Sequence, residues 1–233
     1  MASRYGAVIF DLYGTLVDNP QVGTDRLAEY DRVLSEMAQE LGVPISQFAL
    51  QWSQLSAKRL KGDFPTLEAT LENMCAELDV NVDADRIKRA SSIRYDFFRR
   101  TVTPRSDSLD TLSTLKNMGY GTAMITDCSA ETAVVWRESQ FVPLVDVPLL
   151  SCEVRMTKPD PRIYLLACRR LGTPADRCLY VGDGGSDELS GAAQLGMTPV
   201  LIRTPEEDID DRISEEWNGI RISAVSEILE HVE

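Results

Sequence analysis

Three short apolar runs in this sequence stop abruptly on acidic or hydroxyl residues, and those stops are where chemistry could collect. Ala7-Val8-Ile9-Phe10 ends at Asp11, Gly121 to Ile125 ends at Thr126-Asp127, and Cys178 to Val181 ends at Gly182-Asp183. A carboxylate in such a place is able to act as a nucleophile, as a metal ligand, or as both. Asp is equally common as a turn or helix-cap residue. A second acid, Asp187, follows Asp183 by four positions. Asp11, Asp183 and Asp187 together would concentrate negative charge that is costly unless a hard cation sits among them. Taken alone, Ser186 or Asp187 would serve as a cap for the helix that follows. Lys158-Pro159 adds a compact cation whose approach the proline restricts, suited to an oxyanion or to a nucleophilic carboxylate. The single histidine is His231, far from all of these, so histidine acid–base chemistry is not expected.

These residues need a frame that brings them together. The run ending at Asp11 is too short for a buried helix and rich in β-branched and aromatic residues, so it reads as a buried parallel strand. From about residue 19 to 104 the pattern turns helical. Leu27, Tyr30, Val33, Leu34, Met37 and Leu41 form one stripe, and further helices are expected over Ile45 to Leu60, Thr66 to Leu78 and Asp85 to Arg100. After Pro104 strands alternate with helices. Helices are expected over Leu109 to Met118, Ala130 to Ser139, Pro161 to Leu171, Ser186 to Leu195 and Ala224 to Val232. Strands are expected over Val145 to Leu150, Thr198 to Ile202 and Gly219 to Ile222, besides the two runs ending at Thr126 and Gly182. Glu206 to Trp217 is acidic and weakly patterned, and reads as a surface segment. The alternation predicts parallel βαβ units in an α/β, doubly wound parallel sheet. Ligands in such sheets bind outside the carboxyl ends of the strands, where all three polar stops would fall. The helical block is then an all-helical subdomain inserted after the first strand. This gives a core of residues 1–18 and 105–233 and an insertion of residues 19–104.

Composition narrows the partners. The 233 residues are enough for one large domain or a core with an insertion, and 43% hydrophobic with 26% charged is ordinary for a globular chain. A net charge of -13 repels phosphate backbones and anionic lipid, so neither nucleic acid nor a membrane surface is expected as a partner. A small-molecule substrate is expected, and an anionic one is admitted because a local cation overrides the global field. Five cysteines in an odd count, none with zinc-ligand spacing, read as reduced thiols of a cytoplasmic protein. No stretch reaches membrane-spanning length. Trp52, Lys58, Arg59 and Phe64 are candidates for contacting substrate by position only, the cations being expected in solvent and the aromatics in the core. Lys58-Arg59 and Arg99-Arg100 read as solvated faces. Oligomeric state carries no sequence signal.

Taken together, Asp11-Leu12-Tyr13-Gly14-Thr15, Thr126, Lys158-Pro159, and Gly182-Asp183 with Asp187 resemble the motifs of the haloacid dehalogenase superfamily of hydrolases. The matches run in order across the chain. The resemblance implies a Rossmann-like core with Asp11 on the central strand, and it makes the helical block the superfamily's inserted cap. It further implies that Asp11 is the nucleophile, passing through a covalent aspartyl intermediate that water hydrolyses. Thr126 would hydrogen-bond the transferring group, and Lys158 would stabilise its charge and hold Asp11. Gly14, Thr15 and Asp127 would lie against substrate. Mg2+ would be bound by Asp11, by the backbone carbonyl of Tyr13, by Asp183 directly, and by Asp187 directly or through water.

One departure matters. Phosphatases of this superfamily usually carry an Asp two residues after the nucleophile, which protonates the leaving alkoxide, and here that residue is Tyr13. The loss of a positioned general acid costs roughly 10²–10⁴ in rate. The 2-haloacid dehalogenases share the D-x-Y-G-T pattern, and halide leaves without a proton. They are similar to this chain less closely at Gly182-Asp183, where the resemblance implies Ser and Asn and no metal. The expectation is therefore a magnesium-dependent phosphatase acting on a small phosphate ester through an aspartyl-phosphate. A metal-independent 2-haloacid dehalogenase stands as the alternative, and a non-catalytic binding protein of the same fold as a third.

Overall fold

A computed structural model describes residues 4–18, 24–204 and 217–232. The segment 206–216, expected at the surface, and the first residues of the insertion, 19–23, lie outside the described residues.

The strand expected at the centre is there. β1 (Ala7–Phe10) is buried on both faces and pairs in parallel with β2 (Gly121–Thr126) on one side and β4 (Cys178–Gly182) on the other. Ala7 is level with both Gly121 and Cys178, so the three strands start at the same height and end within two residues of one another. β3 (Val147–Leu150), β5 (Thr198–Ile202) and β6 (Ile220–Ile222) complete a six-stranded, all-parallel sheet of order β3-β2-β1-β4-β5-β6. The chain crosses outward in one direction from β1 to β3 and then returns to β4 on the other side of β1. The order therefore reverses between β1 and β4, and ligand crevices open at such points.

Strand side chains alternate between faces, and both faces are covered. Val8 and Phe10 belong to one core with Met124, Val181 and Val200, closed by α6 (Ser108–Asn117) and by α11 (Leu229–Val232) with the turn before it. Ala7 and Ile9 face the other way into a second core with Ile125 and Tyr180, closed by α9 (Pro161–Leu171) and α10 (Glu188–Gln194). Between β1 and α6 the described residues form five helices: α1 (Thr24–Leu41), α2 (Ile45–Gln54), α3 (Ser56–Leu60), α4 (Leu67–Glu77) and α5 (Ala84–Thr101). α1 packs along α5, and α5 also touches α7 (Ala130–Arg137) of the strand–helix part.

The chain enters and leaves this helical stretch at one place. Val17 bridges Pro104, Arg105 N donates to Leu16 O at 3.0 Å, and Ser108 Oγ donates to the same carbonyl at 2.7 Å. A second tie lies at its far side, where Ser151 Oγ, on the short α8 (Ser151–Val154), donates to Leu60 O at 2.7 Å.

The larger differences of the element boundaries from expectation are local. Ile45 to Leu60 is two helices, because the chain steps out of register at Leu55 before α3 begins. β3 begins at Val147 rather than Val145. The last segment is a tight 3-10 turn over Val225–Ile228 before α11. The helix expected from Ser186 begins at Glu188, since Ser186 and Asp187 both hold left-handed backbone angles (φ 56° and 50°) that no helix continues.

Candidate active site

The carboxyl ends of β1, β2 and β4 meet at one cavity of about 360 Å³. Asp11, Tyr13, Thr126, Asp127, Lys158 and Asp183 all line it. These come from stretches as far apart as residues 11 and 183, gathered by the common height of three parallel strands. Gly14 and Thr15 were expected against substrate, but they are buried behind that lining. Gly14 holds φ 75°, and a methyl group there would run into the carboxylate of Asp183, so the close passage of the two loops depends on glycine.

Lys158 organises the centre. Its Nζ donates to Asp11 Oδ1 at 2.5 Å and to Glu188 Oε2 at 2.5 Å, with all three groups buried. Its backbone N–H donates to Asp127 Oδ1 at 3.0 Å, which fixes the loop carrying it. Burial alone would lower the lysine, but the carboxylates of Asp11, Glu188 and Asp127 outweigh it and hold its ammonium well above the ordinary range. Burial pushes the Asp11 carboxyl up, against the charge of Lys158 and with Glu188 and Asp183 adding to the rise. Asp127 is likewise raised, chiefly by burial.

Glu188 went unnoticed in the sequence, and it takes the position expected of Asp187. Asp11, Asp183 and Glu188 each bring one carboxylate oxygen to within 4.8 Å of the others. Asp187 is exposed and is not part of that cluster. The reason is local geometry. Asp187 is left-handed and turns its side chain outward, whereas Glu188 is the first residue of α10, where side chains lean back toward the helix N-terminus and the sheet edge. Glu188 is fully held: Oε1 accepts from Gly184 N at 3.1 Å and Oε2 from Tyr180 OH at 2.7 Å, besides Lys158. Gly182 carries no side chain at the point where Glu188 packs, and a methyl group there would strike its carboxylate. The available sequence signal was an acid directly before the buried pair Leu189 and Ala192, on the core side of its helix.

Asp183 is buried, its Oδ1 accepts from Gly185 N at 2.8 Å, and its carbonyl accepts from Arg203 Nε at 3.1 Å. Tyr13 sits with its hydroxyl 3.1 Å from Thr132 Oγ1 and its ring edge-on to Phe98. Burial raises its phenol far above the ordinary value, so it stays neutral and holds its proton tightly. The cavity lining also carries cations: Arg59 and Arg94 line it and both are buried. Lys58 is exposed as expected, but Arg59 is not in solvent. Its guanidinium lies 3.7 Å from the centre of the Trp52 ring, a cation–π contact that the charge pattern alone did not reveal.

Residues 5–196 match the family model of haloacid dehalogenase-like hydrolases. The chain belongs to this family. Haloacid dehalogenase-like hydrolases similar to it include an (S)-2-haloacid dehalogenase of Pseudomonas fluorescens, 30% identical over 91% of this chain and 89% of that protein. They also include a glyceraldehyde 3-phosphate phosphatase of Methanopyrus kandleri, 23% identical over 97% of this chain and 96% of that one. The fold is shared with a solved 2-haloacid dehalogenase from Pseudomonas syringae pv. Tomato (TM-score 0.66, 23% identity, 97% of each chain). The chain is therefore a hydrolase, and as a family member it acts on small molecules. Among the described residues no helix is long and apolar enough to cross a membrane.

Proposed function

We propose that this hydrolase cleaves a small phosphate ester with Asp11 as nucleophile, dependent on magnesium, with residues 19–104 acting as a cap over a core of residues 1–18 and 105–233. The observation that carries this is the acid cluster at Asp11. Asp11, Asp183 and Glu188 are buried and each bring one carboxylate oxygen to within 4.8 Å of the others, with Lys158 paired to Asp11 and Glu188. Such a cluster suits a divalent cation, and the donors are all hard oxygens of the kind magnesium prefers. Asp11, Asp183 and the Tyr13 carbonyl would hold it, with Glu188 in the part first expected of Asp187. Bound there, magnesium would draw charge from the phosphoryl oxygens and relieve the repulsion between an anionic ester and Asp11.

In this reading an Asp11 oxygen attacks phosphorus and the ester oxygen departs with its bonding electrons, leaving an aspartyl-phosphate. Water then attacks phosphorus, the acyl–phosphate bond breaks, and Asp11 is returned as carboxylate with release of inorganic phosphate. Lys158 keeps one Asp11 oxygen fixed and shares its negative charge. Thr126 and Asp127 line the side on which the phosphoryl group would rest. Tyr13, neutral and tied to Thr132, supplies no carboxylic acid to the departing oxygen, so esters with good leaving groups are favoured.

A second reading has its own support. The same Tyr13 suits a halide leaving group, which takes no proton, and then Asp11 would displace halide from the carbon beside a carboxylate. The two separate in one assay. Phosphate release from p-nitrophenyl phosphate that needs magnesium and disappears in Asp11→Asn supports the first. Metal-independent chloride release from 2-chloropropionate, with no phosphate release, replaces it with the second.

A further inference from the structure

The lining of the cavity holds a cation pair that the reaction at Asp11 leaves unused. Arg94, on α5, is 3% exposed, and Arg59, on α3, is 8% exposed. Among the described residues both share a single counter-ion, Glu131 of α7, with Arg94 Nε at 3.4 Å and Arg59 Nη1 at 3.8 Å from the same Oε1. Among those residues, two guanidiniums against one carboxylate leave one positive charge, buried, on the cavity wall. A buried charge without a partner costs several kcal/mol, so a chain that keeps one has a use for it. The hydrogen bonds agree. Arg59 Nη2 donates to Trp52 O at 3.1 Å, while Arg94 Nη1 and Arg59 Nε are buried and have no acceptor among the described residues. The arginine planes are held by rings: Arg94 lies 4.5 Å from the Phe98 ring centre and 4.8 Å from that of Tyr30, both of which also line the cavity.

We propose that Arg94, with Arg59 beside it, binds a carboxylate of the substrate at the end remote from Asp11, so that the substrate is a small ester carrying a second, singly charged anionic group. One surplus positive charge calls for a monoanion, and a guanidinium edge matches a planar carboxylate in geometry. The Phe98 and Tyr30 rings would cover the short carbon chain between the two ends. Glu131 tunes the site: it keeps the pair from repelling each other while leaving Arg94 Nη1 open. The proposal rests on Asp11 being the reacting group of this cavity, but the binding it describes does not need turnover.

The test has two arms. In the first, thermal unfolding is followed with butyrate or with the uncharged butyramide at matched ionic strength. A ligand that binds only the folded state raises the midpoint with concentration. Butyrate is expected to raise it and butyramide not. The rise should vanish in Arg94→Met, which leaves Arg59 balanced by Glu131, and survive in part in Arg94→Lys. A butyrate rise that persists in Arg94→Met, or no rise in the unaltered protein, overturns the proposal. In the second arm, ω-carboxyalkyl phosphates with one to three methylenes are each compared with the alkyl phosphate of the same length. The ratio of kcat/KM between partners should be at least about tenfold at the best length, in line with one charge-assisted hydrogen-bonded contact. In Arg94→Met it should fall toward one. A ratio near one at every length in the unaltered protein overturns the anchor. Butyrate binding as described, with no phosphate ester cleaved at all, would instead remove the phosphatase reading and leave the anchor standing.

Discussion

Lys158 Nζ lies 2.5 Å from Glu188 Oε2, and this contact ties the cation that holds Asp11 to a carboxylate that no motif pointed to. Because Glu188 also accepts from Tyr180 and Gly184, the lysine is held from behind as well as by Asp11. Glu188→Gln keeps the shape but removes the charge, and should lower kcat/KM by about 10²-fold, some 3 kcal/mol of lost transition-state stabilisation. Asp187→Asn, on an exposed side chain, should change it by less than about twofold. Steady-state kinetics of both variants decide between the two acids, and the reverse ranking would restore Asp187 to the site.

Tyr13→Asp tests the missing acid. The new carboxyl would stand where a proton is needed by a poor leaving group, so alkyl phosphates should gain roughly 10²–10⁴ in rate. p-Nitrophenyl phosphate, whose phenolate leaves without help, should gain far less. Equal gains on both, or none on either, would show that proton delivery does not limit the enzyme.

Gly182→Ala should damage stability and activity together. The added methyl group meets the Glu188 carboxylate, and Glu188 is fully buried and cannot swing into solvent. Overpacking of this kind costs about 1–3 kcal/mol. Urea unfolding should show a lower midpoint with an unchanged slope, and the lost activity should not return at low temperature, where the variant is folded.

Acid sensitivity has a local contributor at the start of β2. Asp146 accepts from Thr122 N and Thr122 Oγ1, both at 3.0 Å, and pairs with Lys116. Partial burial would raise its carboxyl, but Lys116 and Thr122 outweigh this and hold it below the usual range. A lowered folded-state value means stabilisation that is present above the unfolded value of about 4 and is lost as pH falls through the folded one. The group is two-fifths exposed, so the contribution is less than about 1 kcal/mol. The midpoint gap between the unaltered protein and Asp146→Asn should therefore close on acidification below about pH 4 and stay constant from pH 6 to 8.

The sheet was legible because its signal is simple. Buried parallel strands are short apolar runs, and the polar stops at Asp11, Thr126 and Asp183 mark the edge where they end. Glu188 was not legible, because the left-handed turn through Ser186 and Asp187 has no signature in residues that ordinarily avoid it. The acid that points inward was thereby moved one position along. Arg59 and Arg94 were misjudged or overlooked for a related reason. A charged residue on a helix reads as solvated, and only the packing of α5 against α7 brings Glu131 against the pair, within a ring of aromatics. Helix periodicity reports which face is apolar; it carries no record of a counter-ion that arrives from elsewhere.

The bridge between Val17 and Pro104 bears on how such an enzyme diversifies. The path out to the helices and the path back are pinned side by side, so the stretch between residues 18 and 104 leaves and rejoins the sheet through one stem. Under the proposed cap role, a laboratory graft of a foreign helical segment between those residues should bring the donor's choice of substrate, provided the contacts of Leu60, Phe98 and Arg94 with the sheet side are kept.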